Sequence, residues 1–150
     1  MGVHDPFDDS ALGHVIFNEV EKEWKFTLLV AGREIRGGIA PEDANLPLQE
    51  QGLDEIRECV VWIRDHEPAI RQHITDEIFE GWMSGWYDEE IDTISTPEEF
   101  REAISLAGFN VLEDRVAELY YNDGGLFGGH WITLSVGAGG RFPYPPLIEG

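Results

Sequence analysis

The chain has 150 residues, and 30 acidic side chains against 10 basic ones give it a formal net charge of −20. A surface of this sign repels nucleic acid and anionic lipid, because binding phosphate groups requires clusters of Lys and Arg. An apolar fraction of 42%, with 8 Phe, 5 Trp and 4 Tyr, excludes a disordered chain. The single Cys excludes an internal disulfide and a Cys-based zinc site. The length suits one domain over residues 1–150.

No apolar run approaches the roughly 20 residues that a bilayer-spanning helix requires. The opening segment, Met1 to Asp5, has neither a basic head nor an apolar stretch. We therefore expect no membrane span and no secretory signal, and we predict a cytoplasmic protein. No motif calls for a cofactor, so none is expected.

The N-terminal third is predicted to form an antiparallel β-meander. Residues 1–13 are polar and are predicted to be an irregular lead-in. Three strands are predicted at residues 14–20, 24–30 and 34–39, because apolar residues alternate there with polar ones and turn residues separate the segments.

The middle of the chain is predicted to be helical. Apolar residues recur there at spacings of three and four, at Leu53, Ile56, Val60 and Ile63. Pro68 is expected to end or kink this helix, because proline lacks an N–H and clashes with the preceding turn. A second helix would then begin at Pro68, run through Ile78 and fray near Gly81 or Gly85.

A third, short helix is predicted after Thr96. Thr96 and Glu99 have the spacing of a capping box, and Pro97 suits the first helical position. Gly108 is expected to end this helix.

Strand patterns return after Gly108, at residues 109–112, 116–121 and 131–136. The proline-rich tail from Phe142 to Leu147 cannot be a central strand, because prolines remove donors from the ladder. The order of elements predicts an α+β fold. It comprises an N-terminal antiparallel β-meander, two to three central helices and C-terminal antiparallel strands that complete the sheet.

The interval between Arg71 and Arg101 contains no Lys or Arg, yet it is rich in both acids and large aromatic side chains. One interpretation is a helix whose aromatic face packs in the core while its acids are solvated. The other is a partner-binding surface, in which aromatic side chains anchor and acids attract a basic protein. The residues that would form this surface are Glu80, Trp82, Trp86, Tyr87, Asp88, Glu89, Glu90 and Asp92.

Four glycines fall within residues 124–129, between the last two predicted strands. Such a density predicts positive φ angles or a backbone that something approaches closely. We predict that Leu126 and Phe127 fill the core and that Asp123 accepts hydrogen bonds from turn amides. His130 is predicted to bond a loop carbonyl.

This motif, Asp-Gly-x-Leu-Phe-x-Gly-His, followed by a short strand and a terminal Glu-Gly, resembles an uncharacterised bacterial family, a domain of unknown function. The motif residues that carry the resemblance are Asp123, Gly124, Leu126, Phe127, Gly129 and His130. The resemblance implies a small α+β bacterial domain and no established catalytic residues. Proteins of this kind are similar in size and acidity to immunity proteins that neutralise toxins.

Three functions stay open. The favoured one is a non-enzymatic acidic binding protein, an immunity or inhibitor protein that occludes a basic protein such as a bacterial toxin. The second is a metal-dependent or acid–base enzyme centred on Asp123 and His130, with His14 as a further metal ligand. The third is a structural homodimer that hides its tryptophans in a symmetric interface. No catalytic residue is assigned, and Cys59 is predicted to be an inert core thiol.

Overall fold

The computed structural model describes residues 2–150. Eight strands form a sheet in which the spatial order follows the chain order. The strands are β1 (Phe7–Asp9), β2 (Gly13–Asn18), β3 (Glu23–Val30), β4 (Arg33–Ile39), β5 (Ser105–Val111), β6 (Ala117–Asn122), β7 (Trp131–Val136) and β8 (Leu147–Glu149). Between β4 and β5 lie the helices α1 (Leu53–Gly85) and α2 (Pro97–Ala103). The predicted α+β fold is confirmed. Within residues 2–150, neither helix is long and apolar enough to cross a membrane.

The sheet is mixed. Strands β1 to β4 pair antiparallel with their neighbours, as do β5 to β8, and the two groups meet at a parallel pair of β4 and β5. The parallel pair is possible because the two helices carry the chain back along the sheet before β5 begins.

One face of the sheet packs against the helices and forms the core. Along β3, Trp24, Phe26, Leu28 and Val30 point to this face and are at most 7% exposed. The intervening residues of the strand point to the opposite face, which no helix covers. This alternation is the half-buried pattern from which β3 was predicted.

Helix α1 runs without interruption through Pro68, so the prediction that a helix ends there is wrong. An interior proline costs about 3 kcal/mol. Ile70 and Ile74, on the far side of the proline, are fully buried, and each contributes about 1.5–3 kcal/mol by leaving water. Pro68 is itself exposed, so its ring lies on the solvent side. Burial of the helix stripe therefore outweighs the local penalty.

Helix α2 begins as predicted and ends earlier. The Thr96 hydroxyl accepts the backbone N–H of Glu99 at 3.2 Å, which confirms that Thr96 caps the helix. The Glu99 carboxylate accepts the Thr96 hydroxyl at 2.9 Å and the backbone N–H of Ser95 at 3.4 Å, instead of the Thr96 N–H that a full capping box uses. The helix stops at Ala103, so the prediction that Gly108 ends it is wrong. Gly108 lies inside β5 instead, where a Cβ would sit 3.2 Å from the carbonyl oxygen of Arg36.

The N-terminal segment contains a strand where an irregular lead-in was predicted, and Asp9 ties it to α1. The Asp9 carboxylate is 2% exposed. It accepts Nε of Arg57 at 2.8 Å and the backbone N–H groups of Ala11 and Leu12. Burial alone would raise the pKa of Asp9. These hydrogen bonds and the Arg57 charge outweigh burial and hold the pKa below its ordinary value.

Candidate functional site

The acidic segment and the glycine-rich loop, which are distant in the sequence, lie against each other. The indole N–H of Trp82 donates to the carbonyl of Leu126 at 2.7 Å. The ring of Trp86 stands edge-on to Phe127 and His130, with centroids 5.2 and 5.7 Å away. The acidic segment and the glycine-rich loop, which were predicted separately from the sequence, therefore form one end of the molecule.

Asp123 organises the glycine-rich loop. Its side chain is buried, and Oδ1 accepts the N–H of Gly125 at 2.9 Å. Oδ2 accepts the N–H groups of Phe127, Gly129 and His130, each at 3.0 Å. This confirms that Asp123 bonds turn amides. Because a carboxylate has about four acceptor positions, this one has little capacity left for a substrate or a metal ion.

The backbone of the loop requires its glycines. All four glycines in residues 124–129 have φ between 61° and 88°, a region that L side chains rarely adopt. A Cβ on Gly124 would also lie 2.4 Å from the carbonyl oxygen of Ala103. Leu126 and Phe127 are 6% and 2% exposed, which confirms that they fill the core.

His130 bonds the loop, as predicted, and is half-buried. Its Nδ1 bonds the carbonyl of Phe127. His14 lies elsewhere, with its Nδ1 2.8 Å from the carboxylate of Asp8 on the edge strand. Among residues 2–150, no three His, Cys, Asp or Glu side chains are grouped closely enough to hold a metal ion. The structure therefore does not assemble the predicted set of His14, His130 and Asp123.

The three aromatic residues of the predicted partner-binding surface have different environments. Trp82 is 1% exposed and packs against Phe100 and Tyr87, so an anchoring role for Trp82 is wrong. Tyr87 is half-buried. Trp86 is 48% exposed. Of the two tryptophans, Trp86 is therefore the one whose indole a partner can reach.

The acids of this segment follow the end of α1. Glu80, Asp88, Glu89 and Glu90 are exposed, and Asp92 is half-buried. Two of them hold the turn, because Asp88 accepts the N–H of Glu90 at 3.0 Å and Asp92 accepts that of Asp88 at 2.7 Å. None of the five takes part in an ion pair with a side chain in residues 2–150. Their charge is thus open to an external cation.

Sequence reasoning missed Ile91, which is 77% exposed in the middle of this turn. Its N–H donates to the carbonyl of Asp88 at 3.1 Å. The available signal was a β-branched apolar residue inside a run of acids. The accessible part of the site, which we call the Trp86 surface, consists of Glu80, Trp86, Tyr87, Asp88, Glu89, Glu90 and Ile91.

The cysteine lies away from the Trp86 surface, on α1. Burial raises the pKa of the Cys59 thiol to about 11, although the nearby charge of Arg115 acts in the opposite direction. At neutral pH this thiol is protonated and a poor nucleophile. The environment supports its prediction as an inert thiol.

These features define an α+β protein whose long helix covers one sheet face and ends in an acidic turn around an exposed tryptophan. The chain belongs to a bacterial family described as uncharacterised proteins conserved in bacteria (DUF2262), which matches residues 8–143. The match includes both the acidic turn and the glycine-rich loop. Searches of curated proteins and of solved structures found no match.

Proposed function

We propose that this protein is a non-enzymatic acidic binding protein, an immunity or inhibitor protein that occludes a basic protein partner such as a bacterial toxin. The observation that carries the proposal is the Trp86 surface. There, a half-exposed indole and an exposed Ile91 lie among carboxylates that no cation of residues 2–150 neutralises. Aromatic anchors surrounded by charges are typical of protein interfaces.

The charge distribution supports a basic partner. The net charge of −20 and the absence of Lys and Arg from residues 72–100 create a strongly negative end of the molecule. Such a field attracts a basic protein and accelerates association, more so at low salt. The cytoplasm is the compartment in which we place this encounter.

The glycine-rich loop has a supporting role in this proposal. The backbone N–H of Trp86 donates to the carbonyl of Trp82 at 2.8 Å, and the Trp86 ring packs edge-on against Phe127 and His130. An anchor that is already ordered loses less side-chain entropy on binding. We propose that the motif over residues 123–130 is a signature of the family because it builds this support.

The test compares two charge-reversed variants of equal net charge. The first replaces Glu80, Glu89 and Glu90 by Lys and leaves Asp88 and Asp92, which hold the turn. The control variant replaces Glu34, Glu58 and Glu113 by Lys, and these side chains are also exposed. Each variant changes the charge by six units, from −20 to −14.

Wild type, both variants and Trp86→Ala are immobilised and exposed to a lysate of the encoding bacterium at several salt concentrations. Captured proteins are identified by mass spectrometry, and the activity of any captured toxin is assayed with each variant added. We expect a basic protein that wild type and the control retain and inhibit, whereas the first variant and Trp86→Ala lose it. Equal capture and inhibition by both charge variants, or no basic protein among those retained, would refute the proposal.

A further inference from the structure

The uncovered face of the sheet is concave. A cleft of about 660 Å³ crosses β2 to β6, and a hollow of about 380 Å³ adjoins it toward β8. Gly108 and Tyr120 line both. The two parts therefore form one groove, which we call the sheet groove. Each part by itself has a volume within the range of small-molecule sites, which is typically about 300–1,000 Å³.

Two glycines in the middle of the sheet leave room for the groove. Neither Gly38 nor Gly108 has a positive φ, so the backbone conformation does not require glycine at either position. Gly38 lets the amide of Asn110 lie across the strand, since a Cβ there would meet Asn110 Oδ1 at 2.3 Å. At Gly108 a Cβ would approach the Arg36 carbonyl at 3.2 Å. A side chain at Gly108 would project into the groove, because the position faces away from the core.

Arg36 supplies a cation to the larger part of the groove. Its exposed guanidinium has no carboxylate within 4.0 Å in residues 2–150, although the chain has 30 acids. The neighbouring Lys25 is already paired, with Glu21 at 2.5 Å and Glu23 at 3.1 Å. A guanidinium binds a carboxylate or phosphate through two parallel hydrogen bonds.

The smaller part of the groove is aromatic. Trp131 is 46% exposed and lines it together with Tyr120. The hydroxyl of Tyr120 accepts the amide of Asn110 at 3.4 Å, which helps to hold the ring. Rings placed in this way bury apolar or planar groups by stacking.

We propose that the sheet groove binds a small organic anion, with its carboxylate or phosphate on Arg36 and its aromatic or apolar part between Tyr120 and Trp131. Arg36 pairs with Gly108, and Gly108 pairs with Tyr120 in the sheet register. Two strand spacings therefore separate the Cα atoms of Arg36 and Tyr120, about 10 Å. The ligand thus carries its anionic group at one end and its aromatic or apolar group at the other. This site is separate from the Trp86 surface and does not depend on its function.

The probes for the test share one ring system and differ in charge: 1-naphthoate, 1-naphthyl phosphate and neutral 1-naphthalenemethanol. Binding is followed by NMR titration of the tryptophan indole N–H signals in the full chain. We expect both anions to shift the Trp131 signal and to bind at least about tenfold tighter than the alcohol, which is the effect of about 1.4 kcal/mol. The anion that binds with the higher affinity identifies the preferred anionic group, carboxylate or phosphate.

Arg36→Ala and Arg33→Ala form a matched pair of variants. Both side chains are exposed, and the register places Arg33 opposite Val30, on the core side of the same strand. We expect Arg36→Ala to weaken the binding of both anions about tenfold and to leave the affinity for the alcohol unchanged. Arg33→Ala should bind all three probes like wild type. Equal affinities for the two variants, or no shift of Trp131 at millimolar probe, would overturn the proposal. So would a dimer in solution that Trp131→Ala dissociates, since a second copy would then occupy the groove.

Discussion

Replacing Asp123 by Ala removes the acceptor of four backbone N–H groups at once. A hydrogen bond to a charged group contributes about 1.5–3 kcal/mol, and a buried N–H left without an acceptor costs about 1–3 kcal/mol. The four bonds share one carboxylate, so their contributions do not add. Part of the loop can also become hydrated, because its glycines are exposed. We expect the free energy of unfolding to fall by about 4 kcal/mol, which is an unusually large effect for one substitution.

The assay is urea unfolding at neutral pH, followed by tryptophan fluorescence and repeated as a thermal melt. For a chain of this size, about 1 kcal/mol corresponds to roughly 3 °C, so the midpoint should fall by about 12 °C. Asn122→Ala is the control, because its exposed side chain accepts one N–H, from Gly124 at 2.8 Å. The free energy of unfolding of this control should fall by about 0.5–1 kcal/mol. If Asp123→Ala loses no more than this control, the carboxylate does not hold the loop.

Three further predictions concern the helix and its contacts. The lowered pKa of Asp9 means that its ionised form stabilises the fold above about pH 4, and that this contribution is lost as the pH falls through the folded-state value. Asp9→Asn should therefore lower the free energy of unfolding at neutral pH and make that free energy less dependent on pH in acid. A variant whose unfolding curves keep the wild-type pH dependence would contradict this. Since the pKa of Cys59 is about 11, alkylation by iodoacetamide should be slow near pH 8 and accelerate up to about pH 11, whereas a midpoint near 8.5 would indicate an ordinary thiol. Pro68→Ala should raise the free energy of unfolding by about 1–3 kcal/mol, because the exposed position regains a helical N–H; a less stable variant in a urea titration would show that α1 depends on the proline.

Elements that depend on neighbours in the chain could be predicted from the sequence. Strand β7 was predicted at its observed bounds, since alternation is a local property. The contacts of Thr96 and Glu99 lie within one helical turn. Continuity of α1 through Pro68 could not be predicted in this way, because it depends on the sheet that buries Ile70 and Ile74.

The same limit applies to the candidate sites. Trp82 and Trp86 are four residues apart, so the helical period places them on the same face. Burial of one and exposure of the other depend on the loop around Leu126, which meets them only in the folded chain. Arg36 and Trp131 likewise share a groove only because of the strand order. The residue types of the candidate sites could therefore be read from the sequence, whereas the solvent exposure of each side chain could not be predicted.

Seven strand pairings build the sheet, and six of them join consecutive strands through short connections. The remaining pairing, between β4 and β5, involves four residue pairs and spans the helices. A break in the backbone between Ile39 and Leu48 would consequently leave every hairpin whole on one fragment or the other. We expect two separately expressed fragments cut there to reassociate through that strand pairing, the packing of α1 against the N-terminal strands and the Arg57–Asp9 contact. The split chain would then offer a reporter of assembly in cells.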